Sequence, residues 1–594
     1  MSKLNQVQIK NNNSSKYISL KGIHWSEKSN DDEEKSINDI IDIDPILLKL
    51  LISRKVNQGQ FENFINPKLK NLLPDPDIVH DMCKATEKIY EYILSGRKIG
   101  VFGDYDVDGS TATAIVCKYF KEIGVDFEFY IPDRVEEGYG PNLKAFEYLK
   151  NKSCSLIITL DCGTTSNEVI SKIKKQNVEV IVIDHHLQGV TLPDAFAIVN
   201  PNKNVDKSGL ENLCAAGVSF FLIISLNRKL KKLNFFSNNT APNLLKFLDL
   251  VALGTICDLV KLDLVNRTLV KQGIKVINKK TNLGLKSLIE KSSIDEEVNE
   301  YHLGFILGPR INAAGRVGKS NLGANLLISD REDINTDIAE KLDTYNSLRK
   351  SIENNVQIQA KNQVDLSSKD IICVNSENWH PGVIGIVAGK LTEEFNRPSI
   401  VIAENEKCCK ASCRSVKNFH IGNFIIKAIK DGYLESGGGH EMAGGFSIKK
   451  NKIDHFKNYL KNKFQVTKEH YERKYDLEIK LSSINNSLYH NIDKLSPFGM
   501  GNPKPKFLIK GCIKSFVKPA GDKHLITYVK DIYGNSVKSI IFNCYSNKIG
   551  NFIEKDANQI FDMICTIKIN KWGGSENIEL VVEDIIDDQS TIRI

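Results

Sequence analysis

From Lys98 onward, short apolar runs alternate with stretches whose apolar residues recur at helical spacing. KIGVFG, FEFYI, SLIITL and VEVIVID are rich in β-branched and aromatic residues, which predicts strands. STATAIVCKYFKEIG and EVISKIKKQ lie between them with helical periodicity. Strands alternating with helices predict a parallel α/β sheet. Ligands of such sheets bind beyond the carboxyl ends of the strands, so the residues after VFG, ITL and VID are expected to converge on one crevice.

A helical region runs from about Cys214 to Ile289, and a long polar helix pattern, DINTDIAEKLDTYNSLRKSIENNVQIQAKNQ, reads as a connector between two lobes. The second lobe is again α/β: strand IICVN, helix PGVIGIVAGKLTEEF, strand SIVIA, a strand-like KCCKASCRS and a glycine-rich loop, GGGHEMAGGF. After His470, short strand patterns alternate with Gly, Pro and Asn turns, which predicts a small β-barrel. Residues 1 to about 45 are polar and charge-rich and read as a poorly packed lead-in, followed by short helical segments around LLKLLISRK and MCKATEKIYEYILSG.

The 594 residues are too many for one hydrophobic core, so three or four domains with clefts between them are expected. No apolar run approaches the ~20 residues of a membrane span, and the polar N-terminus lacks the apolar centre of a secretory signal. A cytoplasmic protein is expected. The 13 cysteines include no C-x-x-C pair and read as reduced, mostly buried thiols; the adjacency of Cys408 and Cys409, with Cys413 nearby, makes an awkward zinc chelate. A net charge of +7 permits a polyanionic partner without demanding one. No repeat period stands out, which excludes a solenoid.

The chemistry gathers at the predicted strand ends. Asp104, Asp106 and Asp108 lie in GDYDVDGS, Asp161 in TLDCG, and Asp184, His185 and His186 in VIDHH. Clustered carboxylates resist ionising together, so collecting them in one crevice is costly unless a cation neutralises them. Asp258, at the end of the apolar helix pattern LVALGTICDLVKL, is suited to completing the ligand set. DxDxDG also opens a calcium loop, but no glutamate stands at the twelfth position and the flanks read strand then helix. Carboxylate and imidazole together suit Mn²⁺, Mg²⁺ prefers oxygen, and two such ions can clamp an in-line phosphoryl displacement. The implied reaction is phosphodiester hydrolysis.

Taken together, GDYDVDGS, LDCG, DHH and GTICDLV resemble the four motifs of the DHH phosphoesterase superfamily. The likeness extends through FINPKLKNLLPDP, IPDRVEEGYG, GPRINAAGRVG, HPGVIGIVAGKL, CRSVKNFHI, GGGHEMAGGF and LSPFGMGNPKPKF, and points to the superfamily's single-stranded-DNA exonucleases. The resemblance implies metal ligation by Asp106, Asp108, Asp161, His185 and Asp258, with Asp104 and His186 in the same shell. It implies a second lobe of the DHHA1 type, in which Ser412, Arg414 and His440 offer an oxyanion-binding set. It further implies that Arg134, Arg310 and Arg316 gather the terminal phosphate and neighbouring backbone. Where the family's residues before the arginine are commonly glycine, serine and alanine, this chain has Ala411, Ser412 and Cys413. Glycines 437, 438, 439, 444 and 445 would let backbone approach a phosphate closely. Trp379 and His380 read equally as loop-fixing residues, and Tyr105 as a packing residue.

The expected division is a lead-in over 1–45, a DHH domain over 46–330, a connecting helix over 331–365, a DHHA1 domain over 366–470 and an oligonucleotide-binding (OB) barrel over 471–594. The expected activity is 5′ to 3′ exonucleolytic hydrolysis of single-stranded DNA in recombination and repair, with two Mn²⁺ or Mg²⁺ ions, by a monomer served by a helicase and a single-strand-binding protein. Two rivals stand beside it: a phosphoesterase of the same superfamily acting on short oligonucleotides or cyclic dinucleotides, and an inactive DNA-binding scaffold. Direction and strand specificity come from the resemblance alone.

Overall fold

The protein's structure, a computed structural model, describes residues 17–28, 43–461, 463 and 472–587, apart from positions 135, 238–239, 369, 407, 546, 556–558 and 573–574. The chain divides into two compact units, one of residues 73–467 and one combining 1–72 with 468–594.

The larger unit is built on a five-stranded sheet in the order Phe127–Tyr130, Ile99–Gly103, Leu156–Leu160, Glu179–Ile183, Ala197–Val199, every pair parallel. The sequences IGVFG, LIITL and EVIVI are almost wholly buried, as expected where helices cover both faces and strands are continuously apolar rather than alternating. Helix Val107–Glu122 follows the strand Ile99–Gly103 within a few residues, its N-terminus capped by Asp106, whose side chain accepts from the Gly109 amide. Helix Leu248–Cys257 is buried around nearly its whole circumference, which its composition, LDLVALGTIC, permits.

The expected connector is a single helix of 31 residues, Glu332–Asn362. Its polar surface is interrupted by Ile338, Ala339 and Leu342 near one end and by Val356 and Ala360 near the other, so it packs on helices 283–291 and 308–317 first and on helix Ile384–Phe395 farther along. The second lobe's sheet runs in the order Ser436–Gly439, Ala443–Ile448, Cys409–Arg414, Ser399–Ala403, Ile372–Ser376. Only the last pair is parallel, joined through helix Ile384–Phe395.

One expectation fails here. GGGHEMAGG is not an open loop: Ser436–Gly439 and Ala443–Ile448 are antiparallel strands, with Gly437 opposite Phe446, Gly438 opposite Gly445 and Gly439 opposite Gly444. The close approach these glycines allow is of strand to strand.

The smaller unit contains a closed barrel. Strands Phe507–Ala520, His524–Lys530, Ser536–Ile541, Ser575–Asp587 and Ile560–Trp572 pair in that order, and the last returns to the first. This is the arrangement of an OB barrel. Residues 17–28, expected as poorly packed lead-in, are instead ordered against it. Tyr17–Ile18 pairs with His24–Glu27, which runs parallel to Glu472–Tyr475. Trp25 is fully buried and its indole N–H donates to Asp584 across 3.0 Å. The rest of the 1–45 segment lies almost entirely outside the described residues. Helix Pro45–Ser53, assigned above to the DHH domain, also belongs to this unit: Arg54 Nε donates to Asn502 Oδ1 at 2.9 Å and Nη1 stands 3.6 Å from the buried Asp476. Local patterning carries no signal for partners more than 440 residues apart.

Trp25 anchors the smaller unit through apolar area and a buried hydrogen bond. Trp25→Ala is expected to destabilise that unit by about 3–5 kcal/mol, measured as a lowered urea midpoint for the barrel transition, with the transition of the larger unit unmoved.

Candidate active site

Each catalytic candidate reaches the carboxyl edge of the parallel sheet from its own element. Asp104 follows strand Ile99–Gly103, Asp106 and Asp108 occupy the start of the next helix, and Asp161 follows Leu156–Leu160. Asp184, His185 and His186 follow Glu179–Ile183, and Asp258 ends helix Leu248–Cys257. Gly254 lets that last helix close in: a Cβ there would stand 2.6 Å from Thr111 Oγ1 and 2.8 Å from Asp108 Oδ1. Asp161 adopts φ 64°, in the left-handed region that aspartate enters more readily than most residues.

The side chains converge. His185 Nε2 lies 3.2 Å from Asp161 Oδ1, 3.6 Å from Asp258 Oδ2 and 3.7 Å from Asp108 Oδ2. Three overlapping donor sets have their ligand atoms within 4.8 Å of one another: Asp104, Asp106 and Asp161; Asp108, His185 and Asp258; Asp161, His185 and His186. All seven residues proposed from sequence are therefore in one cluster.

Burial sets the electrostatics. It raises the carboxyls of Asp104 and Asp161 well above the usual range, and the neighbouring aspartates, Asp106 foremost, raise them further. Burial and then Asp108 and Asp106 push Asp258 up to about 8. Asp108 is raised by burial too, against His185 and the amides of Ala215 and Ala216, which donate to its two oxygens at 2.6 and 2.9 Å. Burial lowers His185. His186 behaves oppositely: burial lowers it, but the hydrogen bond and charge of Asp184, 2.7 Å from Nδ1, prevail and raise it to about 9.

The donor set fits divalent metal. Asp104 Oδ1, Asp161 Oδ1 and His185 Nε2 are buried without a hydrogen-bond partner among the described residues. Buried polar atoms are almost always paired, so three orphans in one cluster call for something that accepts lone pairs from carboxylate and imidazole alike.

A cavity of about 350 Å³ opens where the first lobe meets the second. Its lining carries Arg134, Arg316, Lys410, Ser412 and Arg414, and no acidic side chain among the described residues. Strand alternation places Lys410, Ser412 and Arg414 on one face. Gly385 keeps that face open, since a Cβ there would lie 2.9 Å from Ser412 Oγ. Burial and then the neighbouring cation Arg134 lower Arg316 to about 10. Arg316 also bridges the lobes by donating to the Gly382 carbonyl at 2.9 Å. The guanidinium of Arg134 sits 5.0 Å from the Tyr105 ring centroid, so the tyrosine between two of the aspartates packs against a cavity arginine.

Two predicted phosphate residues are not in this cavity. Arg310 Nε donates to Asp343 Oδ1 at 2.9 Å and Nη1 to the Ile306 carbonyl, which turns it to the connecting helix. His440 lies exposed at the turn between the glycine strands, where its amide bonds the Ala443 carbonyl. Sequence reasoning in turn passed over Lys410, legible only from alternation once the strand is known, and Tyr139, whose hydroxyl donates to the Asp161 carbonyl at 3.2 Å and lies 3.2 Å from His186 Nδ1.

Comparison with known proteins agrees with this arrangement. The DHH family N-terminal domain matches residues 98–255 and the DHHA1 domain residues 368–466, which places the chain among the DHH phosphoesterases. The RecJ OB domain matches residues 475–584. The single-stranded-DNA-specific exonuclease RecJ of Bacillus subtilis is 31% identical over 95% of this chain and 70% of its own length, and that of Salmonella typhimurium is 30% identical over 92% and 96%. The crystal structure of RecJ from Thermus thermophilus in complex with Mn²⁺ superposes with a TM-score of 0.77 at 25% identity, covering 93% of this chain and 77% of that one. The chain belongs to the RecJ family.

The buried acids impose a cost when no cation is present. Asp161→Asn keeps the size and tolerates positive φ, so in EDTA it is expected to stabilise the fold by about 1–2 kcal/mol at pH 8. The sign follows from the raised carboxyl: the penalty is absent below the unfolded-state pKa, where both states hold the proton, grows as pH rises from there while only the unfolded chain ionises, and levels off above the folded-state pKa. Thermal melts from pH 3 to pH 8 should show no gain at the acid end and a gain that sets in above about pH 4 and grows as pH rises.

Proposed function

We propose that this protein is a metal-dependent exonuclease that hydrolyses single-stranded DNA from the 5′ end, acting in recombination and repair. The observation that carries the reading is the acid and imidazole cluster with three buried atoms unpartnered among the described residues, in the same unit as a cavity whose described lining is cationic, polar and apolar. RecJ relatives named as single-stranded-DNA-specific exonucleases, and RecJ crystal structures with Mn²⁺ and with Mg²⁺, support it.

In this reading Asp106, Asp108, Asp161, His185 and Asp258 hold two divalent ions, Mn²⁺ or Mg²⁺, with Asp104 completing the set beside Asp106 and Asp161. When bound, such ions acidify water and offset charge on the phosphate. The chain's own residues do the rest. Arg134, Arg316, Arg414 and Ser412 receive the 5′-terminal phosphate, and their fixed geometry selects an end rather than an internal linkage. His186 keeps a proton at Nδ1 against Asp184 and presents positive charge beside Asp161, where it can lend a proton to the departing oxygen.

The barrel supports a long substrate. Phe516 and Tyr528 are exposed partners on adjacent strands, each followed two residues on by an exposed lysine, Lys518 and Lys530. Aromatic faces interleaved with cations bind single strands by stacking and backbone attraction. An enzyme limited to single strands calls for a helicase to expose them and must share them with a single-strand-binding protein; we place this activity in the cytoplasm, in a monomer. No helix among the described residues is long and apolar enough to cross a membrane.

End-labelled strands incubated with protein and Mn²⁺ test the proposal. Single strands should be degraded from the 5′ end and Asp161→Ala should abolish turnover, whereas digestion of blunt duplex or a need for 3′ ends would sink the strand and polarity claims. Arg414→Ala is expected to weaken 5′-phosphorylated strands by about 1.5–3 kcal/mol in kcat/KM and to erase their advantage over 5′-hydroxyl strands. Joint replacement of Phe516 and Tyr528 by alanine should lower affinity for long strands by about 1–3 kcal/mol per stacked base and leave dinucleotide hydrolysis unchanged. Equal long-strand kinetics would favour a small-substrate phosphoesterase.

A further inference from the structure

The dipeptide His185–His186 has all four of its backbone polar groups held by side chains. Asp184 Oδ1 accepts both amides, at 2.8 Å from His185 and 3.2 Å from His186. Both carbonyls accept from asparagines: Asn202 Nδ2 donates to the His185 oxygen at 2.6 Å, and Asn200 Nδ2 to the His186 oxygen at 2.8 Å. The asparagines follow strand Ala197–Val199, so two successive carbonyls of one loop are clasped by residues two apart on the neighbouring strand's exit.

The clasp closes on the aspartate loop as well. Asn200 Nδ2 also donates to Thr164 Oγ1 at 2.9 Å, and its Oδ1 accepts the Asn202 amide at 2.7 Å. Thr164, three residues beyond Asp161, donates its amide to Asp184 Oδ2 at 3.0 Å. Asn200 is fully buried, which makes these bonds costly to lose. A connected network thus spans the loop that carries Asp161 and the loop that carries His185, although neither asparagine belongs to the ligand cluster.

Loops at strand ends are ordinarily free to adjust by several tenths of an ångström, and a ligand set tolerates little such freedom. We propose that Asn200 and Asn202 are positioning residues of the metal centre, fixing the separation of the His185 ring from the Asp161 carboxylate. The inference rests on the metal-centre reading above. Their chemistry suits the task, since an amide can donate to one group and accept from another, while a carboxylate or an aliphatic chain cannot.

Titration calorimetry of the full chain with Mn²⁺ tests the proposal, at a temperature where circular dichroism shows every protein folded. Asn202→Ala, and Asn202→Leu, which fills the space without a donor, are each expected to weaken Mn²⁺ binding by about 10- to 100-fold. Asn200→Ser, which keeps a small hydroxyl, serves as a third variant should the larger changes prevent folding, with the same direction expected. A folded variant whose dissociation constant stays within about twofold of the unmutated chain overturns the inference, since losing a hydrogen bond that orients a ligand costs at least about tenfold in affinity. Absence of Mn²⁺ uptake by the unmutated chain, with the loss expected of His185→Ala having nothing to remove, would instead overturn the metal-centre reading itself.

Discussion

Carboxylates do not gather in a low-dielectric crevice of their own accord, and the architecture of the larger unit is organised around making them do so. Parallel strands end at one edge, which brings the residues after Gly103, Leu160 and Ile183 within reach of one another. The fourth contribution needs different means. Helix Leu248–Cys257 is mostly apolar and buried on nearly every side, so burial drives it inward, and Gly254 removes the side chain that would otherwise hold it off Asp108. Only then does Asp258 reach the cluster. Asp161 takes a positive φ at the exit of its strand, a backbone conformation that aspartate adopts more readily than most residues.

The cavity between the lobes is the electrostatic complement. There the crowded groups are cations, and the unmet need is for an anion. The two sites sit in one unit, and Tyr105, between Asp104 and Asp106, stacks on Arg134 of the cavity. A substrate that is a chain of phosphates with a free end satisfies both at once. This is a stronger constraint than either site gives separately, because a compact phosphoester would have little use for the second.

Much of this was legible in the chain, and the exceptions have a common cause. The sheet, the connecting helix, the barrel and the seven clustered residues each rest on signals confined to a few neighbouring positions: apolar runs, helical period, acids after strands. What local patterning cannot convey is pairing at a distance. Arg310 looked equivalent to Arg316, but the next helix offers it Asp343, and one hydrogen-bonded ion pair decides which way a guanidinium turns. GGGHEMAGG has the composition of a loop, yet each glycine strand finds a partner in the other. Residues 17–28 read as solvent-exposed because their partners are encoded beyond residue 471.

The N-terminal strand shows how far this reaches. Its four residues HWSE carry one large apolar side chain, too little to hold an isolated segment in place. Trp25 is ordered because the indole fills a site in the barrel unit and its N–H meets Oδ2 of a buried carboxylate, Asp584, whose other oxygen accepts the Ile585 amide. The bond lowers the cost of burying both the indole donor and the second carboxylate oxygen. The acid cluster in the larger unit follows the same rule with one difference. Its orphaned atoms have no protein partner among the described residues, and that imbalance is what distinguishes a site built to bind from a core built to stay closed.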